Sequence, residues 1–219
     1  MEADFWHDRW QNNLTGFHLD EVNAYLKEYW SGLNLKQGAR IFVPLCGKTL
    51  DLIWLAEQGY EVVGIELSSL AVEAFFAENN LTAEVTHHVG GLDYWKSGKI
   101  SLICGDFFAL TEESLGNVDA VYDRASLVAL PPAMRQEYAA KLTQITQLAP
   151  KLLVTLEYDQ SKMDGPPFSV SDNEVESLYQ ANYQVKQLTA QDVLGDNEKF
   201  RSRGLEYMNE CIYQLEAKS

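Results

Sequence analysis

Residues 40–66 read RIFVPLCGKTLDLIWLAEQGYEVVGIE. The apolar run Ile41-Phe42-Val43 enters a tight Pro44-Leu45-Cys46-Gly47 turn. An apolar helical pattern follows, and Gly59 closes it. A second apolar run, Val62-Val63-Gly64-Ile65, stops at an acid, Glu66. The order is strand, glycine-containing turn, helix, strand, terminal carboxylate. Such an order builds a nucleotide site: the turn lets backbone approach the ligand, and the acid lies where a ribose diol donates to it.

Downstream, residues 68–80 read as a second helix, capped by Ser68 or Ser69 with Leu70, Ala71, Ala74 and Phe75 as its apolar stripe. Residues 83–99, with Gly90-Gly91 and Ser97-Gly98, read as a short strand plus an excursion. Strands are expected over 100–104, ending at Gly105-Asp106, and over 118–122, ending in Asp123-Arg124. Pro131-Pro132 start a helix that runs to about Leu148 and is stopped by Pro150. Residues 152–156 are β-like, Gly165-Pro166-Pro167 make a loop, and residues 171–181 are helical with Ser171 or Asp172 as cap. Residues 183–188 and 205–215 alternate as strands with no helix of obvious length between them, and can pair as an antiparallel hairpin at a sheet edge. Upstream, residues 1–37 are dense in aromatics, among them Phe5, Trp6, Trp10, Phe17, Tyr25 and Trp30, with a helix expected over 20–32. The expectation is one α/β domain, a mostly parallel sheet of about seven strands with right-handed crossovers, and an N-terminal aromatic cap over residues 1–37.

A chain of 219 residues is long enough for one well-buried α/β domain. Its 32 acids against 17 bases give a formal charge of −15, which argues against a nucleic-acid backbone as partner. Three cysteines, Cys46, Cys104 and Cys211, make no disulfide framework and imply a reducing cytoplasm. The N-terminus has no signal-peptide pattern and no apolar stretch is long enough to span a bilayer. The histidines His7, His18, His87 and His88 make no metal-binding spacing with the cysteines, so no metal is expected.

Gly47-Lys48-Thr49 fails as a phosphate loop, which needs a glycine where Phe42 stands. A dinucleotide oxidoreductase usually carries three glycines in its first turn, to admit a pyrophosphate. Here only Gly47 is glycine, and a tighter turn suits a ligand without phosphate, S-adenosylmethionine. Glu66, nineteen residues after Gly47, is expected at its ribose. Asp106 has two readings, an acceptor for the adenine amino group or the cap of a short turn. Arg124 follows the fourth main strand and either faces the ligand crevice or pairs with Asp123 or Glu157. Cys46 reads as a small packing residue.

Several long blocks carry a more specific signal. FWHDRWQNNLTGFH, FVPLCGKTLDLIWLAEQG, VVGIELS, ISLICGDFF, YDRASLVALPP, YDQSKMDGPPF and a closing CIYQL resemble, in order and over nearly the whole length, the thiopurine S-methyltransferase family, especially its bacterial members. The resemblance implies a class I S-adenosylmethionine-dependent methyltransferase fold (Rossmann-like) with the last strand antiparallel. It implies that Trp10, Leu45 and Gly47 line the cofactor, that Glu66 takes the ribose, and that Asp106 and Phe107 flank the adenine. Arg124 would reach both cofactor and acceptor, and Phe17 the acceptor. A basic residue before the final strand approaches the substrate in some members; here Lys199, Arg201 and Arg203 crowd that region. The implied reaction is in-line attack of an aromatic or heterocyclic thiol on the methyl carbon. A monomer is expected, with neither membrane nor nucleic acid as partner. Methylation of selenium or tellurium compounds in detoxification is the alternative. Trp6 and Trp10 also keep structural readings as core residues.

Overall fold

The computed structural model describes residues 3–16, 18–88, 91–196 and 198–218. They form two compact units, Met1–Tyr122 and Asp123–Ser219.

The first unit holds helices α1 (Ala3–Gln11), α2 (Ala24–Tyr29), α3 (Asp51–Glu57), α4 (Ser69–Glu78) and α5 (Glu112–Leu115). Its strands are β1 (Arg40–Val43), β2 (Glu61–Glu66), β3 (Glu84–His88), β4 (Leu92–Ser97), β5 (Ile100–Cys104) and the start of β6 (Ala120–Arg124). Their order is β3-β4-β5-β2-β1-β6. β1 pairs in parallel with β2 and β6, and β2 with β5. Every residue from Val62 to Glu66 is buried, the unbroken pattern of a strand covered on both faces. Val43 pairs with Gly64, so β2 runs two residues past that pairing and carries Glu66 beyond the end of β1, over the turn that follows it.

The excursion expected after the second helix is an antiparallel hairpin: β4 pairs with both β3 and β5. The described residues thus hold nine strands where about seven were expected. None of the first five residues of β4 is fully buried or fully exposed except Lys96, so its sequence lacks a clean alternation. Helix α1 was also not foreseen, and the helix expected over 20–32 is shorter. Asn23 caps α2 by accepting from the N–H groups of Tyr25 and Leu26, and the chain tightens into a 3₁₀ turn at Trp30–Leu33.

The second unit begins with the last two residues of β6. It continues with α6 (Pro132–Ile145), β7 (Lys151–Glu157), α7 (Asp172–Tyr179), β8 (Tyr183–Asp192), α8 (Glu198–Arg201) and β9 (Asn209–Ala217), in strand order β6-β7-β9-β8. β9 is antiparallel to both β7 and β8, as expected of the last strand, and the final two strands form the expected edge hairpin. Ser171 caps α7 through the N–H of Glu174, and Pro132 opens α6.

Buried polar groups fix the start of this unit. Asp123 is fully buried and accepts from Tyr138 Oη of α6 at 2.8 Å. Arg135, also of α6, donates to the carbonyl oxygens of Leu130 (2.9 Å) and Ser169 (3.1 Å) and to Glu174 (2.7 Å), which ties down the segment after β6. Burial pushes the Asp123 carboxyl up to about 6, against hydrogen bonds from Tyr138 and Ser126 and the charge of Lys151. Burial in turn pulls the Lys151 ammonium down to about 7. A carboxyl raised in the fold keeps its proton longer than in the unfolded chain. Its contribution to stability is therefore complete below about 3.8 and is lost as pH rises through about 6. Asp123→Asn cannot titrate. Its unfolding free energy in urea, relative to the parent, is expected to rise by on the order of 1–3 kcal/mol between about pH 4 and 7. A difference that stays constant across that range contradicts the assignment.

Candidate cofactor and acceptor sites

Glu66 organises the first site. Its side chain is buried, and its two oxygens are both engaged: Oε2 accepts from the N–H of Gly47 at 2.9 Å and Oε1 from that of Ser68 at 2.8 Å. Burial raises this carboxyl, and backbone N–H groups of Ser68, Gly47 and Leu67 oppose the rise. Cys46 N–H donates to the Ile65 carbonyl at 2.9 Å, so the turn is fastened to β2 by backbone as well. A carboxylate has about four acceptor positions, so three N–H groups leave acceptor capacity for a ligand donor.

The turn itself is strained and close-packed. Leu45 sits at φ +45°, a left-handed conformation that a branched side chain adopts at a cost of order 1–3 kcal/mol. Gly47 is at φ +53°, and a Cβ there would lie 3.3 Å from Trp10 Cζ2. Gly64 has no room either: a Cβ would stand 2.7 Å from both Cys46 Sγ and Leu102 Cδ2. Trp10, Leu45, Gly47 and Glu66 are therefore brought together. The tip of β5 joins them, since Gly105 N–H donates to the Glu66 carbonyl at 2.9 Å.

Asp106 follows and is exposed; its Oδ1 accepts from Phe108 N–H at 2.9 Å and caps the 3₁₀ turn Phe107–Ala109. Of its two readings, the turn cap is the one realised by that oxygen. Phe107 is buried and meets Phe108 edge-on. Cys46 and Cys104 border Glu66, and burial, reinforced by its charge, pushes both thiols up, Cys104 to about 11. Neither is a nucleophile at neutral pH.

Trp10 also lines a cavity of about 220 Å³ with Asn13, Thr15, Lys48, Leu70 and Glu78; Lys48 Nζ lies 2.6 Å from Glu78 Oε1 across it. Phe17 lies outside the described residues.

One residue at this site escaped the reading of the sequence. Asp51, the first residue of α3, is buried, and accepts from the N–H of Asn23 at 2.8 Å and from Tyr122 Oη at 3.1 Å. It joins the capped start of α2 to the helix that follows the Gly47 turn.

In the second unit, Arg124 ends β6 half-buried. Among the described residues its guanidinium makes no hydrogen bond and no ion pair within 4 Å. Neither pairing considered for it, with Asp123 or with Glu157, occurs among the described residues; Asp123, its neighbour on the strand, points to the opposite face, toward Tyr138. The charge that it does feel is that of Glu210 on β9, whose carboxyl burial raises and Arg124 lowers. Ala125, next in the chain, is at φ +65°, another strained residue beside a candidate functional one. Arg201 and Arg203 are exposed, and the side chain of Lys199 lies outside the described residues.

The residues of the first site fit a ligand with a ribose diol and no phosphate: a buried acid with acceptor capacity left, at a turn with a single glycine whose N–H is already taken by that acid. Among the described residues no cluster of His, Cys, Asp and Glu could hold a metal ion, and no helix is long and apolar enough to cross a membrane.

Comparison with known proteins places the chain by sequence and by fold. The family model described as thiopurine S-methyltransferase (TPMT) matches residues 1–218. The thiopurine S-methyltransferase of Pseudomonas aeruginosa (strain UCBPP-PA14) is 51% identical over 217 residues, with 99% of each chain covered. That of Pseudomonas fluorescens (strain Pf0-1) is 48% identical over 215 residues, with 98% of this chain and 99% of the relative covered. A solved S-adenosylmethionine-dependent methyltransferase from Anabaena variabilis superposes with a TM-score of 0.65, 14% identity, and coverage of 99% and 95%. At that identity the likeness concerns the fold, an α/β methyltransferase architecture with a mostly parallel centre and an antiparallel last strand.

Proposed function

The chain belongs to the thiopurine S-methyltransferase family, and on that premise we propose that it transfers a methyl group from S-adenosylmethionine to aromatic or heterocyclic thiols. The observation that carries the cofactor half is the buried Glu66 carboxylate, held against the Gly47 turn with acceptor capacity to spare. When bound, the cofactor supplies an electrophilic methyl group on a sulfonium. Glu66 accepts from the ribose hydroxyls, Trp10 and Leu45 line the ligand, Gly47 admits it close to backbone, and Asp106 and Phe107 flank the adenine. Arg124 holds the acceptor, its unpaired donors matching an anionic or thione sulfur. Phe17 contacts the acceptor, and residues 1–37 form the cover of a single catalytic domain that keeps water from the reacting sulfur.

These residues contribute placement more than bond-making. An in-line transfer between two held groups gains mainly from near-attack geometry. No side chain forms a covalent bond, which agrees with the raised cysteines. Three free cysteines support a reducing cytoplasm, where methylation of small foreign thiols serves detoxification by a monomer. The charge of −15 supports a small-molecule acceptor over nucleic acid.

Calorimetric titration with S-adenosylhomocysteine, followed by methyl transfer to 6-mercaptopurine in the same preparation, tests this reading. Binding with turnover is expected. Binding without turnover on any aromatic thiol removes the acceptor class, and absence of binding removes the cofactor.

A further inference from the structure

If Arg124 holds the acceptor, as proposed above, a protonated thiol still needs a group to receive its proton. A thiol must lose its proton in the course of methylation, and the carboxylates on the cofactor side already serve the Gly47 turn and the Phe107–Ala109 turn.

The second unit places a carboxylate on the right face. Asp123 and Arg124 are consecutive in β6, so their side chains point to opposite faces. Asp123 meets Tyr138 of α6, and Arg124 therefore turns away from that helix. On β7, Lys151 donates to Thr146 Oγ1 at the end of α6 and so faces the helix side, as does Thr155 four residues on; Cys211 of β9 pairs with Thr155 and shares that face, so Glu210, its neighbour, turns to the other. Glu210 pairs directly with Leu156 of β7 and Gln191 of β8. Those cross-strand partners share its face. Leu156 in turn packs against a buried apolar cluster of Tyr158, Met163, Leu194, Leu205 and Met208.

The face turned away from α6 thus carries Arg124 on β6, Leu156 on β7 and Glu210 on β9, with apolar side chains beside them. The two charges are close enough for Arg124 to oppose the burial of Glu210, yet they form no ion pair within 4 Å. The Glu210 carboxylate makes no hydrogen bond among the described residues. Two half-buried opposite charges that do not meet, over an apolar floor, suit a flat ring with a sulfur at one edge. The other titratable groups near Glu210 are Cys211 on its own strand, and Glu157 and Asp192, which flank it one register position away on β7 and β8.

We propose that Glu210 is the proton acceptor for the thiol substrate, and that with Arg124 it selects aromatic or heterocyclic thiols that arrive protonated. The S–H bond breaks and its proton passes to a Glu210 carboxylate oxygen. The sulfur pair so freed forms the new bond to the methyl carbon. The old methyl–sulfur bond breaks, and its electron pair stays on the donor sulfur, cancelling the sulfonium charge. Arg124 faces the sulfur as its negative charge grows.

Glu210→Gln tests this with two aryl thiols, one ionised at the assay pH and one largely protonated. A lost general base costs about 10²-fold or more. The variant is expected to lose roughly 10²-fold in kcat/KM on the protonated thiol and to stay within about twofold on the ionised one. A second readout needs no turnover. Thiolate absorbance should appear when the protonated thiol binds the parent protein loaded with S-adenosylhomocysteine, and should be missing with the variant. Equal losses on both thiols, or no loss on either, overturn the proposal, as does a thiolate band that survives in Glu210→Gln. If that variant does not fold, Glu210→Asp, with a base of shorter reach, should show the same thiol-selective defect in weaker form. Arg124→Ala separates the two readings: it should slow both thiols, and if it slows neither, the role of Arg124 fails while the thiol selectivity of Glu210 is still decided by its own variant.

Discussion

Arg124→Ala is expected to lower the turnover of an aryl thiol by about 10²–10³-fold, as loss of a donor aimed at developing charge does elsewhere. Affinity for S-adenosylhomocysteine should fall much less. The expectation follows from the state of the side chain. An arginine that already serves an internal carboxylate would be destabilising to remove and uninformative about chemistry. Arg124 has no such partner among the described residues, and its donors remain available to a ligand. Its backbone, by contrast, is firmly set, between a buried Asp123 bonded to Tyr138 and a left-handed Ala125. Steady-state kinetics with a single thiol, together with a titration of the cofactor product, checks the split. Unchanged turnover would remove Arg124 from the site.

The second large effect belongs to Glu66. Glu66→Ala should weaken S-adenosylhomocysteine binding by about 1.5–3 kcal/mol, roughly 10- to 150-fold, from the loss of hydrogen bonds to a charged acceptor. Two N–H groups, of Gly47 and Ser68, lose their acceptor in the same step, so the turn should also loosen. Glu66→Gln separates these effects. Its carboxamide keeps the shape but has a single acceptor oxygen, and one of the two N–H groups must face an NH₂ instead. Calorimetry on both variants, with thermal unfolding as the control, is the measurement. Parent-like affinity in Glu66→Ala would refute the ribose role.

What could be read from the chain before its structure follows physical lines. The run from Arg40 to Glu66 was legible because each part is local: buried strands as apolar runs, a turn marked by Pro44 and Gly47, and an acid at the strand end. The antiparallel end of the sheet was legible because no helix of obvious length separates residues 188 and 205; α8, four residues long, is too short for a crossover. Helix α1 was not, since Asp4, His7, Asp8 and Arg9 interrupt its aromatics and leave no clear stripe. β4 was hidden by its mixed burial. Asp51, Asp123 and Glu210 look like ordinary surface acids in a sequence rich in acids. Each acquires its place from partners far along the chain: Asn23 and Tyr122 for Asp51, Tyr138 for Asp123, Arg124 for Glu210. No spacing rule announces contacts of that range.

The bond between Asn23 and Asp51 has a practical bearing on any shortened form of the protein. Asn23 caps α2 with its side chain, while its backbone N–H is taken by an acid four residues beyond Gly47. A cut placed before this residue leaves the fastening intact. A cut placed after it strips a buried carboxylate of a partner next to the cofactor turn, so damage to catalysis by such a truncation would reflect a loosened turn as much as a missing cover.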